Sequence, residues 1–134
     1  MFKQLSIFAE NKRGAMNVLT ALLKENQINI NALVTNDSAE FGIVRMIVDE
    51  PDRAMAALVE AGYLCRLDRV TAVEMEDTCG SLDALLGVIT DAHLNLDYIY
   101  VTFDRASATP VAILKSVEGD ELTSFLKGRG YKIL

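Results

Sequence analysis

The sequence predicts an α+β fold made of two consecutive βαββαβ units. Three observations support this prediction: the two halves align at a nearly constant offset, apolar residues alternate between strand and helix spacing, and glycine or proline stands at expected helix ends. A chain of 134 residues can hold two domains of about 65 residues, near the lower size limit for a self-sufficient core. We expect the first domain at residues 1–68 and the second at residues 69–134.

The first copy begins with a strand, in which Leu5, Ile7 and Ala9 alternate with other residues. The segment from Asn11 to Gly14 interrupts this alternation, and apolar residues then recur at helical spacing. The remaining predicted elements are a strand at 28–35, a turn at 36–38, a strand at 43–48, a helix from Pro51 to Gly62 and a strand at 63–67.

The second copy repeats this order of elements. Its predicted elements are a strand at 72–76, a helix at 82–89, strands at 94–103 and 111–117, a helix at 122–126 and a strand at 131–134. The early identical pairs lie 66 residues apart and are Glu10 and Glu76, Gly14 and Gly80, Leu19 and Leu85, and Asn29 and Asn95. The later pairs lie 68 residues apart and include Leu58 and Leu126, Gly62 and Gly130, and Tyr63 and Tyr131. This order of elements is typical of ferredoxin-like folds.

The second strand of each unit is expected at a sheet edge. Residues 32–35 and 98–103 contain no charge and no proline. An uncharged apolar edge promotes association. We therefore expect the two antiparallel sheets to be joined side by side, through pairing of these edges with each other or with a second chain.

Composition narrows the range of partners and compartments. The formal net charge is −6 and lysine and arginine do not cluster, which disfavours nucleic acid and anionic membrane surfaces as partners. No apolar run approaches the length of a membrane span, and the N-terminus shows no signal-peptide pattern. Cys65 and Cys79 lack CxxC spacing and fit two reduced thiols. We expect a cytoplasmic protein.

The loop after the first strand of each copy carries the candidate site. A glycine just before a helix lets a ligand approach the backbone, and the helix N-terminus offers N–H groups to a carboxylate. Asn11 precedes Gly14 by three residues, as Asp77 precedes Gly80, and either side chain can accept a hydrogen bond from an ammonium group. Together these groups suit an amino-acid zwitterion.

The two copies together resemble the ACT domain over essentially the whole chain. Copy one reads Asn11-Lys12-Arg13-Gly14 and then Ile28-Asn29-Ile30-Asn31, and copy two reads Asp77-Thr78-Cys79-Gly80 and then Leu94-Asn95-Leu96-Asp97. The resemblance implies a regulatory module that binds an amino acid between the glycine loop of one domain and the second strand of its neighbour. The implied ligand-binding residues are Asn11, Arg13, Gly14, Asn29, Asn31, Asp77, Cys79, Gly80, Asn95 and Asp97.

The chain departs from the ACT pattern at the residue before the glycine, which is often proline in that family. Here it is Arg13 or Cys79. Arg13 either reaches a ligand carboxylate or is simply solvated. Asp77 makes the second site more negative than the first, so the two sites should not be equivalent.

We expect neither catalysis nor a bound metal or cofactor. His93, the only histidine, lies at a helix end without a positioned nucleophile or orienting acid. No catalytic motif is present, and the single Cys79 in its loop does not make a soft-metal site.

The function expected from the sequence is that of a non-catalytic, amino-acid-binding regulatory protein of amino-acid metabolism. We expect a homodimer, because two small units with 51% hydrophobic residues should retain apolar surface. Any regulation would act on a separate protein, or on transport or storage of the ligand. The alternative is a structural or regulatory subunit that pairs with an enzyme without binding a ligand itself.

Overall fold

The computed structural model describes residues 2–35 and 41–134, so the predicted turn at 36–38 lies outside the described residues. The chain divides into two compact units. The first is Lys3–Asp68, and the second is Arg69–Leu134 together with Phe2. Each unit contains its own cluster of buried apolar side chains. The predicted βαββαβ order, repeated twice, is confirmed, and the fold is α+β and ferredoxin-like.

The elements of the first unit are β1 (Phe2–Glu10), α1 (Ala15–Glu25), β2 (Ile30–Thr35), β3 (Phe41–Val48), α2 (Pro51–Glu60) and the beginning of β4 (Leu64–Glu74). Its strands follow the order β2-β3-β1-β4. The pairs β1–β3 and β2–β3 are antiparallel. Pro51 begins α2, as its fixed φ and missing N–H predict.

The second unit continues from β4 with α3 (Ser81–Asp91), β5 (Tyr98–Phe103), β6 (Pro110–Lys115) and α4 (Gly119–Gly128). Its strands follow the order β4-β6-β5, with both pairs antiparallel. The strand predicted at 131–134 is reduced to a single bridge between Ile133 and Val73, flanked by two backbone hydrogen bonds to β4.

Two strands predicted at 63–67 and 72–76 are one strand, β4. The boundary between the units, after Asp68, falls inside it. The residues between the two predicted strands include neither glycine nor proline. Nothing in them forces a turn, so the chain stays extended.

The second strand of each unit begins later than predicted, at Ile30 and Tyr98. Ile28 and Leu94 instead close the preceding helices, because their N–H groups donate to the carbonyl groups of Leu23 and Ile89. This is the hydrogen-bond pattern of a helix C-cap. The apolar character of these two residues therefore reflects packing at a helix end.

The apolar faces of the helices line the cores as their spacing predicts. α1 buries Leu19 and Leu23, and α3 buries the equivalent Leu85 and Ile89. All four side chains are at most 2% exposed. Within the described residues, no helix has the length and apolarity needed to cross a membrane.

β2 and β5 lie at the ends of the strand orders of their units. Leu33 on β2 and Val101 and Phe103 on β5 are exposed apolar residues. The pairing of these edges with another strand stays a prediction.

Candidate ligand-binding loops and clefts

The first candidate loop connects β1 to α1, and its four residues, Asn11 to Gly14, are all exposed. Gly14 is the N-cap of α1 and has the left-handed conformation, with φ of 81°. Within the described part of the chain, a Cβ atom at Gly14 would have no neighbour within 4 Å, so the space around that position is open. Among the described residues, no side chain caps α1. The N–H groups of its first turn can therefore serve a ligand.

The charges around the first loop favour an anion. Lys12 Nζ lies 2.9 Å from Glu10 Oε2, and the hydrogen bond to Glu10 together with its charge raises the pKa of Lys12. The two opposite charges of this exposed pair offset each other. Arg13 remains as an exposed cation, and the first turn of α1 contains no acidic residue.

The second candidate loop repeats this geometry with different charges. Gly80 is the left-handed N-cap of α3, with φ of 91° and no side-chain cap. The hydroxyl groups of Thr78 and Ser81 lie 2.8 Å apart and share a hydrogen bond across the loop. Asp83 lies in the first turn of α3 and adds to the negative charge of Asp77. Both carboxylates disfavour an anionic ligand group at this helix end.

The candidate residues on the strand side lie just before or within β2, and before β5. Asn29 is exposed, and its backbone N–H donates to Asp49 Oδ1 at 3.0 Å. Asn31 is half-buried within β2. In the second unit Asn95 and Asp97 are exposed, and the Asp97 N–H donates to the carbonyl oxygen of Lys115 at 2.8 Å.

The glycine loop and the asparagine of the same unit lie at opposite ends of the sheet. β1 reaches the loop where Glu10 pairs with Phe41, whereas β2 begins where Ile30 pairs with Val48. These two points of β3 are seven residue steps apart, or about 23 Å at the rise of a strand. The structure therefore does not bring Gly14 and Asn29 of one unit together.

Asn29 borders a shallow hollow of about 410 Å³ that the sequence analysis did not predict. Thr20 and Lys24 line it from α1, beside Gln27 and Ile28. The Lys24 ammonium gives this end of the unit a cation that can bind a carboxylate. The sequence indicates this hollow only weakly, through the four-residue spacing of Thr20 and Lys24, which places them on one face of a helix.

A cleft also lies beside each glycine loop. The first, of about 570 Å³, is lined by Phe8, Ala9, Glu10, Lys12, Ala15, Val18, Gly62, Tyr63 and Leu64. The second, of about 590 Å³, is lined by Glu74, Met75, Glu76, Ser81, Ala84, Val88, Thr109, Arg129, Gly130, Tyr131 and Lys132. The sequence feature that could have indicated these clefts is the repeated Gly-Tyr pair, which lines both of them.

The two cysteines differ in access. Cys65 is half-buried, its Sγ lies 3.4 Å from Met55 Sδ, and burial raises the pKa of its thiol. Cys79 is exposed, beside Gly80. Among the described residues, no group of three or more His, Cys, Asp and Glu side chains is placed to hold a metal ion.

Treatment with iodoacetamide at pH 8 should modify Cys79 at least ten times faster than Cys65. A thiol whose pKa is raised by burial forms less of the reactive thiolate and is less accessible. Peptide mass spectrometry over time measures both rates. The Cys79→Ser variant is the control and should retain only the slow reaction. Equal rates at the two cysteines would contradict the described burial of Cys65.

Comparison with known proteins identifies the family. The model of the ACT domain pair matches residues 1–115. The chain therefore belongs to the ACT domain pair family. No curated protein sequence matches it.

Solved structures show the same fold over nearly the full chain. Protein BT0572 from Bacteroides thetaiotaomicron is 29% identical, with a TM-score of 0.91, over 99% of this chain and 91% of its own. The ligand-free regulatory subunit of aspartate kinase from Thermus thermophilus is 12% identical, with a TM-score of 0.66, over 94% and 91% of the two chains. Aspartate kinase from Clostridium acetobutylicum is 12% identical, with a TM-score of 0.52, over 94% of this chain and 32% of its own.

Proposed function

We propose that this chain is a non-catalytic regulatory protein that binds a free amino acid. One observation carries the proposal: each unit presents a helix N-terminus that follows a left-handed glycine, and among residues 2–35 and 41–134 no side chain caps it and no atom fills the Cβ position of the glycine. The N–H groups and the helix dipole attract a carboxylate at these two places. Asn11 and Asp77, three residues before the glycines, supply oxygen atoms for the ammonium group.

The loop at Gly14 is the better of the two for a carboxylate. Arg13 adds a positive charge there, and the first turn of α1 has no acid. The loop at Gly80 has Asp77 before it and Asp83 after it. We expect the first loop to bind more tightly.

The second half of each site must come from another ACT-like unit. The two ends of β3 beside which the Gly14 loop and Asn29 lie are about 23 Å apart, which is longer than an amino acid. We propose that the loop of one unit and Asn29 or Asn95 of another hold the ligand from opposite sides. Asn31 and Asp97 follow these residues by two positions and belong to the same half of the site. A homodimer formed along the apolar edges of β2 or β5 is one arrangement that supplies such a neighbour.

The regulated target would be a separate enzyme of amino-acid metabolism. The regulatory subunit of aspartate kinase from Thermus thermophilus shares the fold and is named as a subunit of an enzyme. The second candidate function is partner binding without a ligand. The exposed Leu33, Val101 and Phe103 on the edge strands favour it, because such edges can pair with another chain.

A thermal-shift panel of the twenty amino acids tests the proposal. A ligand that binds only the folded protein stabilises it by about 2.7 kcal/mol at a hundredfold excess over Kd. For a chain of this size, the melting temperature should rise by roughly several degrees. Replacing Asn29 or Asn95 by alanine should abolish the shift at the corresponding site. Ser124→Ala, an exposed polar change on α4, is the control and should keep the full shift.

The outcomes separate the two candidate functions. If no amino acid shifts the wild type, ligand binding is excluded and partner binding takes its place. If one amino acid does so but neither asparagine matters, the function stands and the strand side of the site is wrong. Loss in only one variant identifies the unit in use.

A further inference from the structure

The cleft beside the second glycine loop is built entirely from the second unit. It lies between the end of β4, the start of α3 and the segment after α4, and has a volume of about 590 Å³. A free amino acid fits within this volume. The cleft is separate from the asparagine half of the proposed loop site, since Asn95 and Asp97 do not line it.

Three of the four ionic groups of this cleft, Glu74, Arg129 and Lys132, have no charged equivalent in the first unit, whereas Glu76 corresponds to Glu10. The offsets of the repeat match Glu74 with Phe8, and Lys132 with Leu64. The same alignment matches Arg129 with Ala61. The first cleft, which has a similar volume, therefore has the apolar Phe8 and Leu64 where the second has Glu74 and Lys132.

Glu74 is the least exposed of these charged groups. Its side chain is 19% exposed, and Oε2 is buried and makes no hydrogen bond within the described part of the chain. Lys132 Nζ lies 3.0 Å from this oxygen, an ion pair without hydrogen-bond geometry, and the lysine side chain is 67% exposed. A buried acceptor paired with a solvated lysine can exchange that lysine for another ammonium group.

Two cationic side chains in the cleft can bind the carboxylate of a ligand whose ammonium group contacts Glu74. Lys132, once released from Glu74, stays at the mouth of the cleft. Arg129 lies in the same lining, with its guanidinium 5.7 Å from the centre of the Phe125 ring. The lining thus has two acids, Glu74 and Glu76, and two bases, so a molecule with one charge of each sign keeps the cleft neutral.

We propose that this cleft is an additional binding site for a small zwitterion, held by Glu74 at its ammonium group and by Arg129 and Lys132 at its carboxylate. This site rests on the proposed amino-acid binding and adds to the loop sites a site that lies within one unit. The counterpart cleft of the first unit has no equivalent of Glu74, Arg129 or Lys132, and its own Glu10 and Lys12 pair with each other, so it should not bind the same molecule.

An NMR titration with each of the twenty amino acids, using the ¹⁵N-labelled full chain, tests this site directly. Binding in the cleft should shift the amide signals of Gly130, Tyr131 and Lys132. Glu74→Gln should weaken that binding at least tenfold, because it removes the charge from the only buried carboxylate oxygen of the lining that lacks a hydrogen bond. Lys132→Met should weaken it as well. Glu121→Gln, an exposed change on α4, should have no effect.

The location of the shifted signals separates this site from the loop sites. Shifts around Gly14 and around Asn29 or Asn95, with the amide signals of residues 130–132 unmoved, would overturn the cleft site and support the loop sites. Shifts confined to residues 130–132 and lost in Glu74→Gln would support the cleft and overturn the loop sites. An unchanged affinity in Glu74→Gln, in a variant whose spectrum shows a folded protein, would overturn the cleft proposal.

Discussion

Replacing Leu19 by alanine should lower the free energy of unfolding by about 3–5 kcal/mol, the usual cost of truncating a fully buried leucine. The Leu19 side chain is 0% exposed and belongs to the core cluster of the first unit. Its truncation removes apolar contacts and leaves a cavity that the neighbouring strands cannot fill by small movements. Urea unfolding followed by circular dichroism measures the change.

Val18 provides the matched control for this experiment. It is the preceding residue on α1 but is 61% exposed. Val18→Ala should change the free energy of unfolding by less than about 0.5 kcal/mol, as is typical of surface substitutions. Similar losses in the two variants would contradict the described orientation of α1. In the second unit, Leu85→Ala against Leu82→Ala repeats the comparison with a 0% and a 39% exposed leucine.

Replacing Gly14 by valine should both destabilise the protein and abolish binding at the first loop. Gly14 has φ of 81°. In this conformation a residue with a Cβ atom lowers the stability by about 1–2 kcal/mol, and a β-branched side chain lowers it further. The open space around the Cβ position means that the cost comes from backbone conformation and not from a clash. The added side chain would occupy the space through which a carboxylate reaches the helix N-terminus.

Two control variants show whether the loss of stability comes from the left-handed backbone at Gly14 or from replacing a glycine in general. Gly14→Asn should be tolerated better, because asparagine adopts the left-handed conformation more readily. Gly87 lies inside α3 without positive φ or a close neighbour, so Gly87→Ala should raise stability by about 0.5–1 kcal/mol. Denaturant midpoints and the ligand-induced thermal shift are the measurements. Full binding by a folded Gly14→Val protein would rule out the first loop as a ligand site.

The regular elements could be predicted from the sequence because their periodicity reflects which side chains are buried. The spacing of Leu19 and Leu23 predicts the buried face of α1, and the repeat transfers that prediction to Leu85 and Ile89. The left-handed N-caps were also predictable in position, since Gly14 and Gly80 end their loops in register. Pro51 likewise marks the start of α2.

The predicted strand boundaries were wrong where an apolar residue fits either of two structures. Ile28 and Leu94 fit the beginning of a strand by pattern, but their N–H groups close the preceding helices. The alternation typical of a strand continues across residue 68, and no local sequence feature shows whether this segment forms one strand or two. Hydrogen-bond partners decide these cases, and they depend on tertiary contacts that periodicity does not contain.

The candidate site residues stay a prediction from sequence motifs, and the distances between them could not be predicted from the sequence. The motifs identify the glycine loops and Asn29, yet the register between β1, β2 and β3 sets their separation. The clefts depend on segments that are remote in sequence, such as the ends of β4 and α4. Lys24 and Glu74 gain their candidate roles only from that packing.

In the proposed homodimer, the placement of Gly14 and Asn29 at opposite ends of one sheet would link ligand binding to protein concentration. A ligand held between units of two chains binds the pair more tightly than the separate chains, so by thermodynamic reciprocity it also strengthens their association. Dilution would then weaken the apparent affinity for the amino acid even though no residue changes. Two units of a single chain would instead bind with the same strength at every dilution.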